Sequence, residues 1–481
     1  MKAIDELGIF WLASHEDDAL SGRLQFDPAE GGISLSLVGD FDNVGRNSDD
    51  PGLCIHGWIG SQQVTLDQAF LRRHQLLSPG VATSVYRANQ LFLGHHLDEE
   101  VPTFKKVSFT VSDLDGWVGR TGISIDDDNH AEASQPGAIY RASFTPPAEE
   151  SSTFSRGRIG LGYLWQSGGN PIEGITFKQW AEIHIEYDEV QPFRVIRKDV
   201  GRLQSLITLC IDDRTSIDSL VLTRPDIRAT LLNGQDGGHA KRIEFVAPPL
   251  RYIDPANRTP RGPHEILVGY EQLGGISTVA RWLDVSERFQ RPLDSLMSTR
   301  HARQMYTENR FLNVTFAAEA FHRTVHDSPE MGDAQLAALL EAYLAQTPEE
   351  HHAWLRGRIE FANQPSLRRR LQDLAGRAAP AMRPVIGEKG RWAFALSQVR
   401  HDLTHIGANA GMFDDSLLFL SESVYAVVRI CMLLEAGVPI EVLERRASAY
   451  PFDWYKERLQ RSIEKIRDHS LRVNGTRQPS P

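Results

Sequence analysis

Cysteine is nearly missing from this chain: Cys54, Cys210 and Cys431 are the only three in 481 residues. Three distant thiols build neither a disulfide framework nor a cysteine zinc knuckle. Long hydrophobic runs are missing too, and none is expected to reach membrane-spanning length. The start, "MKAIDELGIFWLAS", carries acidic residues where a signal peptide needs basic ones, and its apolar run is short. A cytoplasmic protein with no membrane partner is the expectation. The chain also lacks a P-loop, a dinucleotide fingerprint and a serine-nucleophile elbow, which removes the common nucleotide-binding and serine-hydrolase readings. There is no internal repeat and no broad basic surface. The formal net charge is −11, with 52 Lys and Arg against 63 Asp and Glu. From Met305 onward the two signs balance at 22 each, so the acidic excess lies wholly before it. That distribution argues against non-specific coating of nucleic acid and leaves a local basic site open.

What is present divides in two. The length suits two to four domains, and the 41% hydrophobic and 24% charged residues are ordinary for a globular chain. The first half holds short runs with alternation and β-branched or aromatic residues, among them "GIFWLAS", "GISLSLV", "LCIHGWIG", "KKVSFTVSD" and "AEIHIEYDE". Gly, Asp, Asn and Pro clusters separate them, and "DDDNHAEASQPG" (126–137) reads as a long loop. "FRVIRKDVGRLQSLITLCID" reads as a helix, with further strands after it. Trp117 and Trp165 are expected in the core. Around Ser277 the period changes from two to helical. In "ENRFLNVTFAAEAFHRTVH", Phe311, Val314, Ala318, Phe321 and Val325 form one stripe. "SLLFLSESVYAVVRICMLLEAG" is apolar nearly all round, with Asp414-Asp415 before it and Gly437 and Pro439 after, so it should be central in a bundle or at a subunit interface. The fold class is α+β and multidomain: sandwich-like sheets with a few helices, then an all-α bundle. The expected boundaries are 1–145 and 146–304 for two β-rich parts, 305–473 for the bundle and 474–481 for a disordered tail.

The densest chemistry lies in "SQVRHDLTHIGANAG" (397–411). Wound as a helix, "RWAFALSQVRHDLTHIG" puts Trp392, Leu396, Val399, Leu403 and Ile406 on one narrow stripe. Arg400, His401, Thr404 and His405 fall on the opposite side, with Asp402 on a flank and Gly407 as a cap. Two readings follow beyond a solvated face. The pair His401 and His405 has the H-x-x-x-H spacing of a zinc peptidase. That chemistry wants a glutamate after the first histidine, and here Asp402 stands there with no third ligand evident. The second reading is metal-free RNA cleavage. It needs a base for the 2′-hydroxyl proton, a cation for charge growing on the phosphoryl oxygens and a proton for the leaving 5′-oxygen. Histidine titrates near pH 6.5 and works in either direction, and arginine offers a charged fork for phosphate.

"RHDLTH", Arg400 to His405, resembles the R-(polar)-x3-H motif of HEPN domains, helical bundles found in prokaryotic defence and toxin ribonucleases. The β-rich half resembles the N-terminal domain of ApeA-type anti-phage proteins, through "HGWIGSQQVTLDQAF", "FLGHHLDEEVPTFKKVSFTVSDLDGWVG" and the region up to "RWLDVSERF". The resemblance implies an abortive-infection endoribonuclease that acts as a homodimer without metal or other cofactor. It implies RNA as substrate, transfer RNA among the candidates, and a phage-derived trigger sensed by the N-terminal region. Products would end in a 2′,3′-cyclic phosphate and begin with a 5′-hydroxyl. Arg400 and His405 would take the catalytic positions and His401 the polar one, with Asp402 and Thr404 in support. A HEPN module that binds RNA or protein without cutting is the competing reading. Glu319, His322 and His326 share a polar helix face; Glu319 would orient Arg400, or all three would be solvated. Arg368 to Arg370 read as a solvated face. Arg458, Arg461, Lys465 and Arg472 line one side of the last helix, either as a phosphate track or as a solvated face.

Overall fold

The structure is a computed structural model describing residues 2–13, 15–41, 52–75, 79–98, 101–127, 140–170, 172–231, 234–248, 261–302, 304–326, 329–359, 363–405, 414–449 and 453–475. It forms two compact units, Met1–Asp284 and Val285–Pro481.

The first unit begins with six strands: β1 (Ile4–Leu12), β2 (His15–Phe26), β3 (Ile33–Val38), β4 (Leu53–Ile59), β5 (Gln62–Gln75) and β6 (Thr83–Leu93). They pair antiparallel in the cyclic order β1-β2-β3-β6-β5-β4, and β4 returns to β1. The ring is a closed barrel, which removes the open sheet edge that would otherwise invite pairing with other chains. Alternation sets the inside. In "ISLSLV", Ile33, Leu35 and Leu37 point into a core shared with Phe10, Leu24, Phe26, Ile55, Leu66 and Tyr86. Gly57 is required by that core. A Cβ there would lie 2.4 Å from the Phe10 ring and 2.8 Å from the Ile9 carbonyl.

The chain continues through β7 (Thr103–Val111), α1 (Leu114–Val118), β8 (Ile123–Asp127), β9 (Tyr140–Phe144), β10 (Glu150–Phe154), β11 (Gly157–Asn170), β12 (Gly174–Pro192) and α2 (Phe193–Ile211). Then come β13 (Ile217–Thr223), β14 (Arg228–Thr230), β15 (Asp236–Ala240), β16 (Ile243–Val246), α3 (Tyr270–Leu273) and α4 (Gly275–Ser286). The end of β6, Leu91–Leu93, also pairs with β16, and the sheet runs on through β13, β7, β12 and β11 to β10. The expected division at 145 therefore does not divide the structure: β7 before it and β12 after it are neighbouring strands. The expected boundary at 304 likewise falls inside the second unit.

Helix α2 packs on β7 and β12. Its Phe193 ring meets Phe92, Phe104 and Phe245 at centroid distances of 5.1, 6.0 and 4.6 Å. Six residues on, the fully buried Asp199 accepts hydrogen bonds from Arg156 (2.6 Å), Tyr187 (2.9 Å) and Arg202 (3.2 Å), joining helix and strands. Trp117 is buried as expected and donates to the Val268 carbonyl at 2.9 Å. Trp165 is not in the core: it is 53% exposed. Beyond Leu161 strand β11 has lost β10, and before Ile183 strand β12 has not yet met β7, so among the described residues this hairpin has no paired neighbours there.

The second unit is helical: α5 (Gln290–His301), α6 (Thr307–Val325), α7 (Asp333–Leu344), α8 (His352–Ile359), α9 (Leu367–Arg377), α10 (Ala379–Ile386), α11 (Lys389–His405), α12 (Asp414–Ala436), α13 (Ile440–Ala449) and α14 (Asp453–Gly475). The stripe of α6 is buried at Phe311, Val314, Ala318 and Phe321. Helix α12 packs against α6, α9, α10 and α14. Against expectation, its Ser416–Ala436 stretch is long and apolar enough to cross a membrane, yet 83% of that apolar window is buried inside the bundle. Glu422 on α12 receives a two-pronged contact from Arg300 on α5 (2.9 and 2.6 Å) and a third from Arg310 on α6 (3.3 Å).

Replacing Asp199 by Ala removes the buried acceptor shared by Arg156, Tyr187 and Arg202. Asp199→Ala should lower unfolding stability by about 3–5 kcal/mol. Urea denaturation would read this as a lower midpoint, and a shift worth well under 1 kcal/mol would refute the clamp.

Candidate functional site

Helix α11 is held by its apolar stripe. Trp392, Ala393, Ala395, Leu396 and Val399 are buried, and the Trp392 indole donates to Ser423 Oγ on α12 at 2.9 Å. That fixes the rotation of the helix and turns the motif outward. The Arg400 side chain is 44% exposed, His401 and Thr404 are exposed, and Asp402 is half-buried. His405 ends the helix; its side chain, and Ile406 and Gly407 with the expected cap, lie outside the described residues.

The nearest carboxylate recorded for Arg400 comes from a different helix. Glu319 on α6 stands 3.9 Å from the Arg400 guanidinium, an ion-pair distance rather than a tight hydrogen bond. Its other oxygen accepts from Arg323 at 2.8 Å. One carboxylate is thus flanked by two guanidiniums. Asp402 accepts from Gln398 at 3.0 Å, one turn back on its own helix. The Thr404 hydroxyl bonds back to the carbonyls of Arg400 (2.9 Å) and His401 (3.2 Å), a local contact that supports the helix end. On α14, Arg458, Arg461 and Lys465 are all exposed. Arg458 lies over the Phe419 ring at 5.6 Å, and Arg461 is 3.7 Å from Glu457. The Arg472 side chain is outside the described residues.

Two readings of solvated faces need correction. His322 is 1% exposed and Arg370 is 3% exposed. Arg370 donates from Nε to the Pro365 carbonyl at 3.0 Å and from a terminal nitrogen to His322 Nδ1 at 3.2 Å. A guanidinium only donates, so Nδ1 of His322 must be bare. Its Nε2 therefore carries the proton and donates to Asp373 at 3.2 Å. The second Asp373 oxygen pairs with Arg369 at 3.1 Å. Burial pushes the His322 pKa below its usual value, against the pull of Asp373. The ring of His326 stacks on His322 at 4.8 Å. A signal for His322 did exist in the sequence: it stands four residues after Ala318 and next to Phe321, at the edge of the apolar stripe.

The helical unit thus carries an outward Arg400 with Glu319 of a neighbouring helix beside it. The pattern of the family described as Apea-like HEPN matches residues 312–442, and that of ApeA N-terminal domain 1 matches residues 5–274. The second match covers more than half of the chain, so the chain belongs to the ApeA family, with a C-terminal HEPN domain. This places it among the HEPN nuclease-type anti-phage defence proteins. No curated protein and no solved structure matches the chain.

The neutral His322 has a consequence for stability. Its folded pKa is below the unfolded value of about 6.5, so on acidification the unfolded chain takes up this proton first. The contribution of His322 is complete above about pH 6.5 and is lost as pH falls from there through the folded value. The stability gap between wild type and His322→Gln should therefore narrow between pH 7.5 and 5.5 in urea titrations. A gap that widens on acidification would mean a charged histidine.

Proposed function

We propose that this protein is a metal-independent endoribonuclease acting in the cytoplasm in anti-phage defence by abortive infection. The observation that carries the reading is the outward, half-exposed Arg400 on the face opposite the buried stripe, with Glu319 behind it. Arg400 binds the scissile phosphate and offsets charge that grows on its oxygens. His405 takes the proton of the 2′-hydroxyl as that oxygen attacks phosphorus. The bond to the 5′-oxygen breaks, and a histidine returns a proton to it. His401 supports the pair, and Glu319 restricts the Arg400 fork. The reaction consumes no water, so it closes a 2′,3′-cyclic phosphate and frees a 5′-hydroxyl.

One bundle leaves this face open to water, where such charges are weak. Two bundles about a two-fold axis would supply two Arg400 and two His405 to one partly dried groove, giving both a base and an acid. The apolar helix α12 does not drive that pairing, because its apolar surface is already covered within its own bundle. The contact would instead involve the polar motif face. The N-terminal unit would sense a phage-derived trigger.

Arg400→Ala and His405→Ala should each lower RNA cleavage by about 10²-fold or more, with unfolding midpoints near wild type. His401→Ala should lose less. Cleavage should survive excess chelator. Wild-type rates from His405→Ala, or activity lost to chelator and restored by zinc, would overturn the assignment.

A further inference from the structure

In the helical unit, two adjoining clefts of about 470 and 750 Å3 lie along the end of α6, α9 and the start of α11. They share His326, Pro329 and Pro365. Arg323 and Arg370 line the first, and Arg369, Arg377 and Lys389 the second. Most of these cations have partners: Arg323 has Glu319, Arg369 has Asp373, and Arg377 has Glu435 at 2.6 Å. Two groups are different. Arg370 is buried, and among the described residues its acceptors are a carbonyl and an imidazole, with no carboxylate. Burial disfavours this guanidinium's charge and Arg323 repels it, with Glu319 the opposing charge. The other group is His326, whose Nε2 is buried and has no hydrogen-bond partner among the described residues. Both line the first cleft.

We propose that this double cleft is a backbone subsite of the nuclease, taking a phosphodiester of single-stranded RNA next to the phosphate held at Arg400. The inference rests on the ribonuclease reading above. Arg370 donates to a non-bridging oxygen and supplies the charge; His326 Nε2–H donates to the same phosphate or accepts from a ribose 2′-hydroxyl. Arg323 links the subsite to the motif, because its guanidinium and that of Arg400 flank the same Glu319 carboxylate. Lys389, exposed at the far end of the second cleft, extends the path for the strand.

The test uses the full chain with His405→Ala to block cleavage. A fluorescein-labelled RNA oligonucleotide is titrated by anisotropy over a salt series, with and without the further pair Arg323→Ala and Lys389→Ala. Both side chains are exposed, so the fold should survive. The pair should weaken binding roughly tenfold and reduce the slope of log K against log salt by about 0.7 for each lost phosphate contact. Unchanged affinity and slope would overturn the subsite, as would the absence of any RNA binding. Loss of RNA cleavage is a separate result. If the otherwise native chain cuts RNA and the pair leaves its KM unchanged, the subsite falls and the nuclease stands. If the chain cuts no RNA but binds it through these residues, the nuclease reading falls and only an RNA-binding cleft stands. Inorganic pyrophosphate that binds the cleft without displacing RNA would assign it to a free phosphate and overturn the inference.

Discussion

A guanidinium is effectively always protonated, and Arg370, like Arg202 and Arg429, is buried with its charge. That single constraint orders its surroundings. Arg370 can only donate, so His322 must present a bare Nδ1 and turn its protonated Nε2 to Asp373. The relay ties α6 to α9 through three side chains, and Arg369 closes it from outside. Glu319 lies three residues before His322 on α6, on the same side of that helix. Fixing His322 therefore fixes the carboxylate that stands beside Arg400. The motif helix contributes the cation; its alignment depends on a network on α6 and α9, two helices that pack against it.

The same logic explains why the motif is accessible. Helix α11 commits one stripe to the bundle, anchored by Trp392 on Ser423, and the opposite stripe has to face out. Helices α9 and α14 pack along α11, and α12 anchors it through Ser423. Its apolar character, which in isolation would suit a subunit interface, is accounted for by four neighbouring helices. A symmetric pairing of two motif faces would thus be a polar contact, sensitive to salt and completed by the substrate strand itself.

Much of this was legible in the sequence because it depends on local period. The α11 and α6 stripes, the long α12 and the alternation in "ISLSLV" all follow from residues a few positions apart. The placing of Arg400 against Glu319 could be read as an alternative, because helical spacing gives faces but not partners. Barrel closure could not, since it depends on β3 meeting β6 and β1 meeting β4, strands that are not neighbours in the chain. The boundary expected at 145 failed for the same reason: a loop in the chain does not interrupt a sheet whose neighbours are distant in sequence. Trp165 and Arg370 misled in opposite directions. A tryptophan in a strand is usually covered, and this one lies where its hairpin outruns the sheet. An arginine within a run of three is usually solvated, and this one is turned inward to a histidine that the apolar stripe had already buried.

The central claim is that the 2′-hydroxyl of the substrate, rather than water, attacks the phosphate at Arg400. Mass spectrometry of a short RNA oligonucleotide cut by the purified chain tests it most directly. The account predicts fragments that end in a 2′,3′-cyclic phosphate and begin with a 5′-hydroxyl, and no cleavage where the sugar at the cut is 2′-deoxy. Fragments that begin with a 5′-phosphate would mean attack by water, and would contradict it.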